Sequence, residues 1–370
     1  MKNPRDKIIL LTLFLIVLFA FFATVIFSES TLNLSAKSAV IYEPVTKNFI
    51  YSKNADQRLP MASTTKIMTA LVALENFSCD KIVSIPGEAV GIEGSSLYLK
   101  QDEKFTMKDL ITGLMLRSAN DAAVAIAYAV SGNVDNFSAL MNEKAAELGL
   151  VDTHFTNPHG LDSPEHYTTA KELAIIASEA LKNDTFKEIV STKKATITNT
   201  EGSARLVLNH NKLLSMYDGA IGVKTGFTKK SGRSLVGASE RDGLIFITVT
   251  IDAPDDWNDH KKLFDYGYAT LSVRHLAKEG DLCYNIPVLG SDKKFIKVSN
   301  TKELNIILEQ NANDPKRDIS LPKYIVSPIK QGDVIGKAVF SLDGKIIGEL
   351  DIVASEDANK STTKKLFYFY

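Results

Sequence analysis

The chain has 370 residues, 45% of them apolar and 24% charged, ordinary proportions for a globular protein with room for two domains. Its net charge of −1 gives no electrostatic case for nucleic acid as a partner. The two cysteines, Cys79 and Cys283, fit neither a disulfide framework nor a metal-site spacing, and read as isolated thiols.

In chain order, Ile8 to Phe27 is a run of 20 residues broken only by Thr12 and Thr24. It is long enough to cross a hydrocarbon core of about 30 Å. Lys2, Arg5 and Lys7 precede it, so the rest of the chain is expected outside the cytoplasmic membrane. Either the segment stays as an N-terminal membrane anchor, or Ser28-Glu29-Ser30 serves as a cleavage site and the protein is secreted to the cell wall. Residues 28–37 read as a polar linker. Ser38 to Glu43 and Asn48 to Ser52 read as strands around a turn at Pro44-Val45-Thr46-Lys47. A helix that ends near Asn76 follows, with Ser63 in its first turn. Gly87 to Ser96 reads as a loop. Helices are predicted over Met107 to Leu116, Asp121 to Val130, Val134 to Leu148 and Thr169 to Leu181. Gly219 to Gly226, Ser234 to Ser239 and Leu244 to Ile251 then read as strands, and Asp256 to Leu271 as a helix. Early strands, central helices and late strands imply an α/β layer, one sheet covered by helices, in which first and last strands can pair. After Ala277 only short strand-like runs remain, with Asp343-Gly344 as a hairpin turn. This region reads as a small all-β domain. The tail from Lys364 to Tyr370 is basic, then aromatic.

Three short motifs stand at element boundaries. In the first, Ser63 and Lys66 are three apart, so their side chains share a helix face. A serine hydroxyl needs a base, and a desolvated lysine beside another cation is neutral enough to be one. Ser-x-x-Lys recurs at Ser78, Ser191, Ser291, Ser299, Ser327 and Ser361, so the spacing alone selects nothing. The buried character of Ile67 to Leu74 singles out Ser63. In the second motif, Ser118-Ala119-Asn120, the serine can pass a proton and the asparagine can hold a substrate amide. In the third, Lys224-Thr225-Gly226, a lysine gives fixed charge and a hydroxyl suits a carboxylate. The glycine lets an extended peptide lie along a strand edge.

Ser-x-x-Lys, Ser-x-Asn and Lys-Thr-Gly in this order resemble the set found in penicillin-binding proteins and class A β-lactamases. With Pro60 to Ala70, Met115 to Ala122, Asn157-Pro158-His159-Gly160-Leu161 and Gly222 to Thr228, the chain resembles the serine D-alanyl-D-alanine carboxypeptidases, the low-molecular-mass penicillin-binding proteins. The likeness covers roughly residues 36–275 and, more loosely, the β region after them.

The resemblance implies an α/β (α+β) DD-peptidase/β-lactamase-like catalytic domain, an antiparallel sheet flanked by helices, then a small all-β domain. The expected limits are 1–30 for the leader or anchor helix, 31–275 for the catalytic domain, 276–357 for the β domain and 358–370 for the tail. It implies that Ser63 is the nucleophile, Lys66 its base and Ser118 a proton relay to the leaving D-alanine. Asn120, Lys224, Thr225, Gly226 and Phe227 would bind substrate, with backbone N–H groups of Ser63 and Phe227 as oxyanion donors. No metal or organic cofactor is implied. Peptidoglycan stem peptides are the implied substrate, and β-lactam antibiotics the acylating inhibitors.

The chain departs from the family at Ala119 and Phe227. It has no arginine before the closing helix, where Asp255 to Asp259 stand, so carboxylate binding beyond Thr225 is unassigned. Three other readings compete. A serine β-lactamase needs a carboxylate-held water, and Thr156 to Gly160 supplies none. A catalytically silent, membrane-tethered cell-wall scaffold is at odds with the intact motifs. A Ser-His-Asp hydrolase lacks its Gly-x-Ser-x-Gly elbow.

Overall fold

The computed structural model describes residues 32–361, so the apolar run 8–27 and the tail 364–370 lie outside the described residues. β1 (Ser38–Glu43) and β2 (Asn48–Lys53) form a hairpin. Its turn is tied down by the Glu43 carboxylate, which accepts from the Val45 and Thr46 amides at 2.8 and 2.7 Å. A 3₁₀ turn over Ala62–Thr65 leads into α1 (Lys66–Asn76). The expected single helix thus begins as a tighter coil at Ser63. Next come β3 (Ile82–Ser84), β4 (Lys104–Thr106), α2 (Met107–Leu116), α3 (Asn120–Ser131) and α4 (Val134–Glu147). α5 (Ala170–Leu181) starts at Thr169, whose hydroxyl accepts from Glu172 N. α6 (Asp184–Ser191), the hairpin β5 (Lys194–Thr198) and β6 (Ala204–Leu208), and the short α7 (Leu213–Met216) follow. β7 (Ala220–Thr228), β8 (Gly232–Arg241) and β9 (Leu244–Ile251) precede α8 (Asp256–Thr270).

β1, β2, β7, β8 and β9 form one antiparallel sheet in the order β2-β1-β9-β8-β7, so the first strand does pair with the last of the set and β7 is an edge. Side chains alternate across a strand, which divides β9 between two layers. Ile247, Val249 and Ile251 join a large core with α1, α2, α3 and α5. Thr248 and Thr250 point the other way, to the buried His260 of α8, at 2.7 and 3.0 Å. The sheet is therefore covered on both faces.

α8 passes without a linker into β10 (Leu271–Ala277), which pairs with β13 (Leu304–Glu309). The sequence reading ended a helix at Leu271 and missed this strand, which spans the expected limit at 275. Gln310, just past β13, donates from its backbone N to Thr270 O (2.8 Å) and from its side chain to Tyr268 O (3.2 Å). A six-stranded sheet completes the region: β14 (Lys316–Ser320), β16 (Val334–Leu342), β17 (Lys345–Ala354), β12 (Phe295–Asn300), β11 (Tyr284–Leu289) and β15 (Ile325–Val326), in that order. It has its own core around Ile296, Val298, Phe340 and Ile352.

Candidate active site

The three motifs meet at one end of α1. Ser63 lies on the 3₁₀ turn, and the turn packs against the edge strand β7. Gly226 makes this approach possible, since a Cβ there would sit 3.2 Å from Met61 O and from Thr64 N. Ser63, Ser118, Thr225, Gly226 and Phe227 line a single cavity of about 640 Å³, with Asn209, His210, Lys212, Arg233 and Trp257 further along it. No carboxylate is among the lining residues.

Lys66 is fully buried, and its Nζ has three neighbours: Ser63 Oγ at 3.0 Å, Asn120 Oδ1 at 2.7 Å and His159 O at 2.5 Å. A neutral amine has two N–H bonds and one lone pair. The amide and peptide oxygens can only accept, so they take the two N–H bonds. The lone pair is then left facing the Ser63 hydroxyl, which can donate to it. Burial pushes the Lys66 ammonium well below its ordinary pKa, and the charge of Lys224 pushes the same way, against Asp121. Burial brings Lys224 down to about 7. Its Nζ donates to Thr225 O at 2.9 Å. This arrangement can deprotonate Ser63 as its oxygen attacks a carbonyl.

Asn120 is the first residue of α3, where its backbone N donates to Ser95 O (2.7 Å) and its Nδ2 to Glu93 O (2.6 Å). The amide is thus oriented with Oδ1 on Lys66. Ser118 has a φ of 62°, a left-handed backbone that serine seldom adopts, and is almost fully buried in the cavity wall. Among the described residues no hydrogen bond joins its hydroxyl to Lys66 or Lys224. Phe227 is exposed at the cavity mouth.

Three supporting groups escaped sequence reading. Asp121, buried at the start of α3, accepts from Leu97 N and Leu99 N at 3.0–3.1 Å and from Ser96 Oγ at 2.6 Å, holding that loop beside the site. His166 Nδ1 accepts from Thr156 N (3.1 Å), so Nε2 carries the proton and donates to Thr65 Oγ1 at 2.7 Å. Thr65 in turn donates to Ala62 O. Burial lowers the His166 pKa to about 3, which keeps the ring neutral. His159 contributes its carbonyl, and burial beside Lys66 lowers its ring to about 4. Among the described residues no cluster of His, Cys, Asp and Glu could hold a metal. Cys79 and Cys283 are both free thiols.

An antiparallel sheet covered on both faces, with a serine and a buried lysine at the head of a helix against its edge strand, defines the class of DD-peptidase-like serine enzymes. Residues 25–255 match the family model described as D-alanyl-D-alanine carboxypeptidase, and residues 272–360 match that of the penicillin-binding protein 5 C-terminal domain. The D-alanyl-D-alanine carboxypeptidase DacF of Bacillus subtilis (strain 168) is 32% identical over 342 residues, 90% of this chain and 88% of that one. Penicillin-binding protein 5 from Haemophilus influenzae superposes with a TM-score of 0.65 at 29% identity, covering 89% of this chain and 99% of that one. The Streptomyces K15 DD-transpeptidase superposes at 0.61 with 36% identity, covering 64% of this chain and 98% of that one. The chain belongs to the D-alanyl-D-alanine carboxypeptidase family.

Proposed function

We propose that the protein removes the terminal D-alanine from peptidoglycan stem pentapeptides through an acyl-enzyme on Ser63, and that penicillin acylates the same oxygen. The carrying observation is the Lys66 Nζ to Ser63 Oγ contact of 3.0 Å, with the amine's other two neighbours being pure acceptors. In this reading Ser63 Oγ bonds to the carbonyl carbon of the penultimate D-alanine, and its proton passes to Lys66. The C–N bond breaks, and the leaving amine takes a proton by way of Ser118. Water then hydrolyses the ester and regenerates the serine. Asn120 holds the acyl part, Lys224 supplies positive charge while protonated, and Thr225 meets the terminal carboxylate. Gly226 leaves room for the peptide, and the Ser63 and Phe227 amides receive the oxyanion, a contribution of about 3–4 kcal/mol per donor in such sites. The absence of a carboxylate from the cavity lining argues against a β-lactamase, which must activate water for fast deacylation. D-alanine release from a pentapeptide, followed by mass spectrometry, is expected from the natural chain and not from Ser63→Ala. A fluorescent penicillin should label Ser63 without rapid turnover. Release by the Ser63→Ala variant would refute the reading.

We further infer that the enzyme works on the extracytoplasmic side of the membrane, with residues 1–30 as leader or anchor, 31–275 as catalytic domain, 276–357 as β domain and 358–370 as tail. Among the described residues no helix is long and apolar enough to cross a membrane. Ile8 to Phe27, with its basic flank, is the segment apolar and long enough to anchor the chain. Resistance of the membrane-bound protein to alkaline carbonate extraction tests a retained anchor. Release into the wash points to cleavage.

A further inference from the structure

We propose that Arg233 supplies the cation that receives the substrate's terminal carboxylate, working beside Thr225. The inference rests on the D-alanine-releasing reading above, in which the substrate ends in a free carboxylate close to the scissile bond. Lys66 and Lys224 are almost wholly buried, and Lys66 is already occupied. The cationic side chains among the cavity's lining residues are Lys212 and Arg233, with His210 beside them. Lys212 is exposed, on a long flexible stem. Arg233 is held.

It stands directly opposite Phe227 in the β7–β8 ladder, so its side chain leaves the sheet on the face that Phe227 and Thr225 share. Its guanidinium lies over the Trp257 ring, 5.6 Å from the centroid. Two hydrogen bonds, of 2.8 and 2.9 Å, run from Nη2 to the carboxylate of Asp256, which is itself 3% exposed. Asp256 is in turn fixed by the Trp257 amide at 2.9 Å. An aromatic plane and a buried carboxylate thus set the position and orientation of the fork. Both bonds to Asp256 use one nitrogen. Nη1 has no acceptor among the described residues, and Nε is buried without one. A guanidinium has five N–H bonds in a fixed plane that matches a carboxylate. A fork oriented this firmly, short of acceptors and in the wall that also holds Ser63, is suited to an anionic ligand. The arginine that the sequence lacks before the closing helix is replaced by one that arrives from the neighbouring strand.

The test compares the full chain with Arg233→Leu and Arg233→Lys. The substrates are diacetyl-L-Lys-D-Ala-D-Ala and the same peptide ending in a carboxamide, with amine release followed by mass spectrometry. Losing a hydrogen bond to a charged group corresponds to about a tenfold to a hundredfold change. The proposal expects Arg233→Leu to lose that factor in kcat/KM on the acid and far less on the amide, so that the preference for the acid collapses. Arg233→Lys should restore part of the preference. An acid-to-amide ratio in Arg233→Leu equal to that of the natural chain overturns the proposal. So does an equal fall on both substrates with a lowered melting temperature, which is the signature of a purely structural arginine. If the natural chain releases nothing from the acid, the D-alanine-releasing reading itself fails, and this proposal with it.

Discussion

At the residue scale, the proposed mechanism depends on a lysine whose charged form is disfavoured by burial. Ser63, Lys66, Ser118, Asn120 and Lys224 were legible because the motifs are local in sequence and their spacing carries geometry. What stood around Lys66 was not legible. The carbonyl of His159 is a backbone group, which no residue type announces. Asp121 does its work through the amides of Leu97 and Leu99 and the hydroxyl of Ser96, in a loop 22 to 25 residues earlier. If Lys66 is the base as proposed, Lys66→Ala slows penicillin acylation by at least about a hundredfold with the fold retained, measured by stopped-flow labelling and circular dichroism. The pH dependence follows from the two lysines, since the Lys224 charge is among the causes that lower Lys66. Lys66 must be neutral to accept a proton, so kcat/KM falls on the acid side as Lys66 becomes charged. Lys224 loses its charge as the pH rises through about 7, so the rate falls on the alkaline side as well. Because the Lys224 charge helps to hold Lys66 down, Lys224→Met should move the acid limb to higher pH as well as lower the maximum. An acid limb that stays in place would show that the two lysines are not coupled.

At the element scale, the catalytic turn is clamped by a loop. Gly160 has a φ of +89°, and a Cβ there would meet Ala62 O at 1.9 Å. The loop is locked from within, with Gly160 N donating to Asn157 Oδ1 at 2.7 Å, and to α1, with Thr69 donating to Pro158 O at 2.6 Å. Gly160→Ala therefore has neither the backbone freedom nor the space. It is expected to lower stability by more than about 2 kcal/mol in urea unfolding and to depress acylation along with it. The predicted helices and central strands were found with ends shifted by a few residues at most, since amphipathic periods and caps define them. α6, the β5–β6 hairpin and α7 were missed. They are short: α6 is eight residues long, and the hairpin strands are five each. Periodicity over such lengths cannot tell strand from loop. β10 was missed for another reason. Its Leu-Ser-Val-Arg-His-Leu-Ala sequence alternates only weakly and follows a helix with no breaker between them.

At the scale of the whole molecule, two buried histidines tie stability to acid. His260 sits between two threonines beneath the sheet and His166 beneath the catalytic turn, each with its pKa lowered by burial from 6.5 to about 3. The unfolded chain binds these protons near pH 6.5 and the folded chain does not. The stability is therefore complete above about 6.5 and is lost as the pH falls towards 3, with a slope of up to about 1.4 kcal/mol per pH unit for each ring. Thermal melting between pH 7 and pH 4 should show this decline, and His260→Gln should flatten it. An unchanged slope in that variant would remove His260 from the account.

The junction after α8 carries a mechanical consequence. A part hung on one strand of chain swivels freely, whereas a part fastened at two points behaves as a bracket. Here one fastening is the direct passage from Thr270 to Leu271, and the other is the return of Gln310 to the carbonyls of Thr270 and Tyr268. The β-rich end is thereby joined to the end of α8 at two points of the chain rather than one.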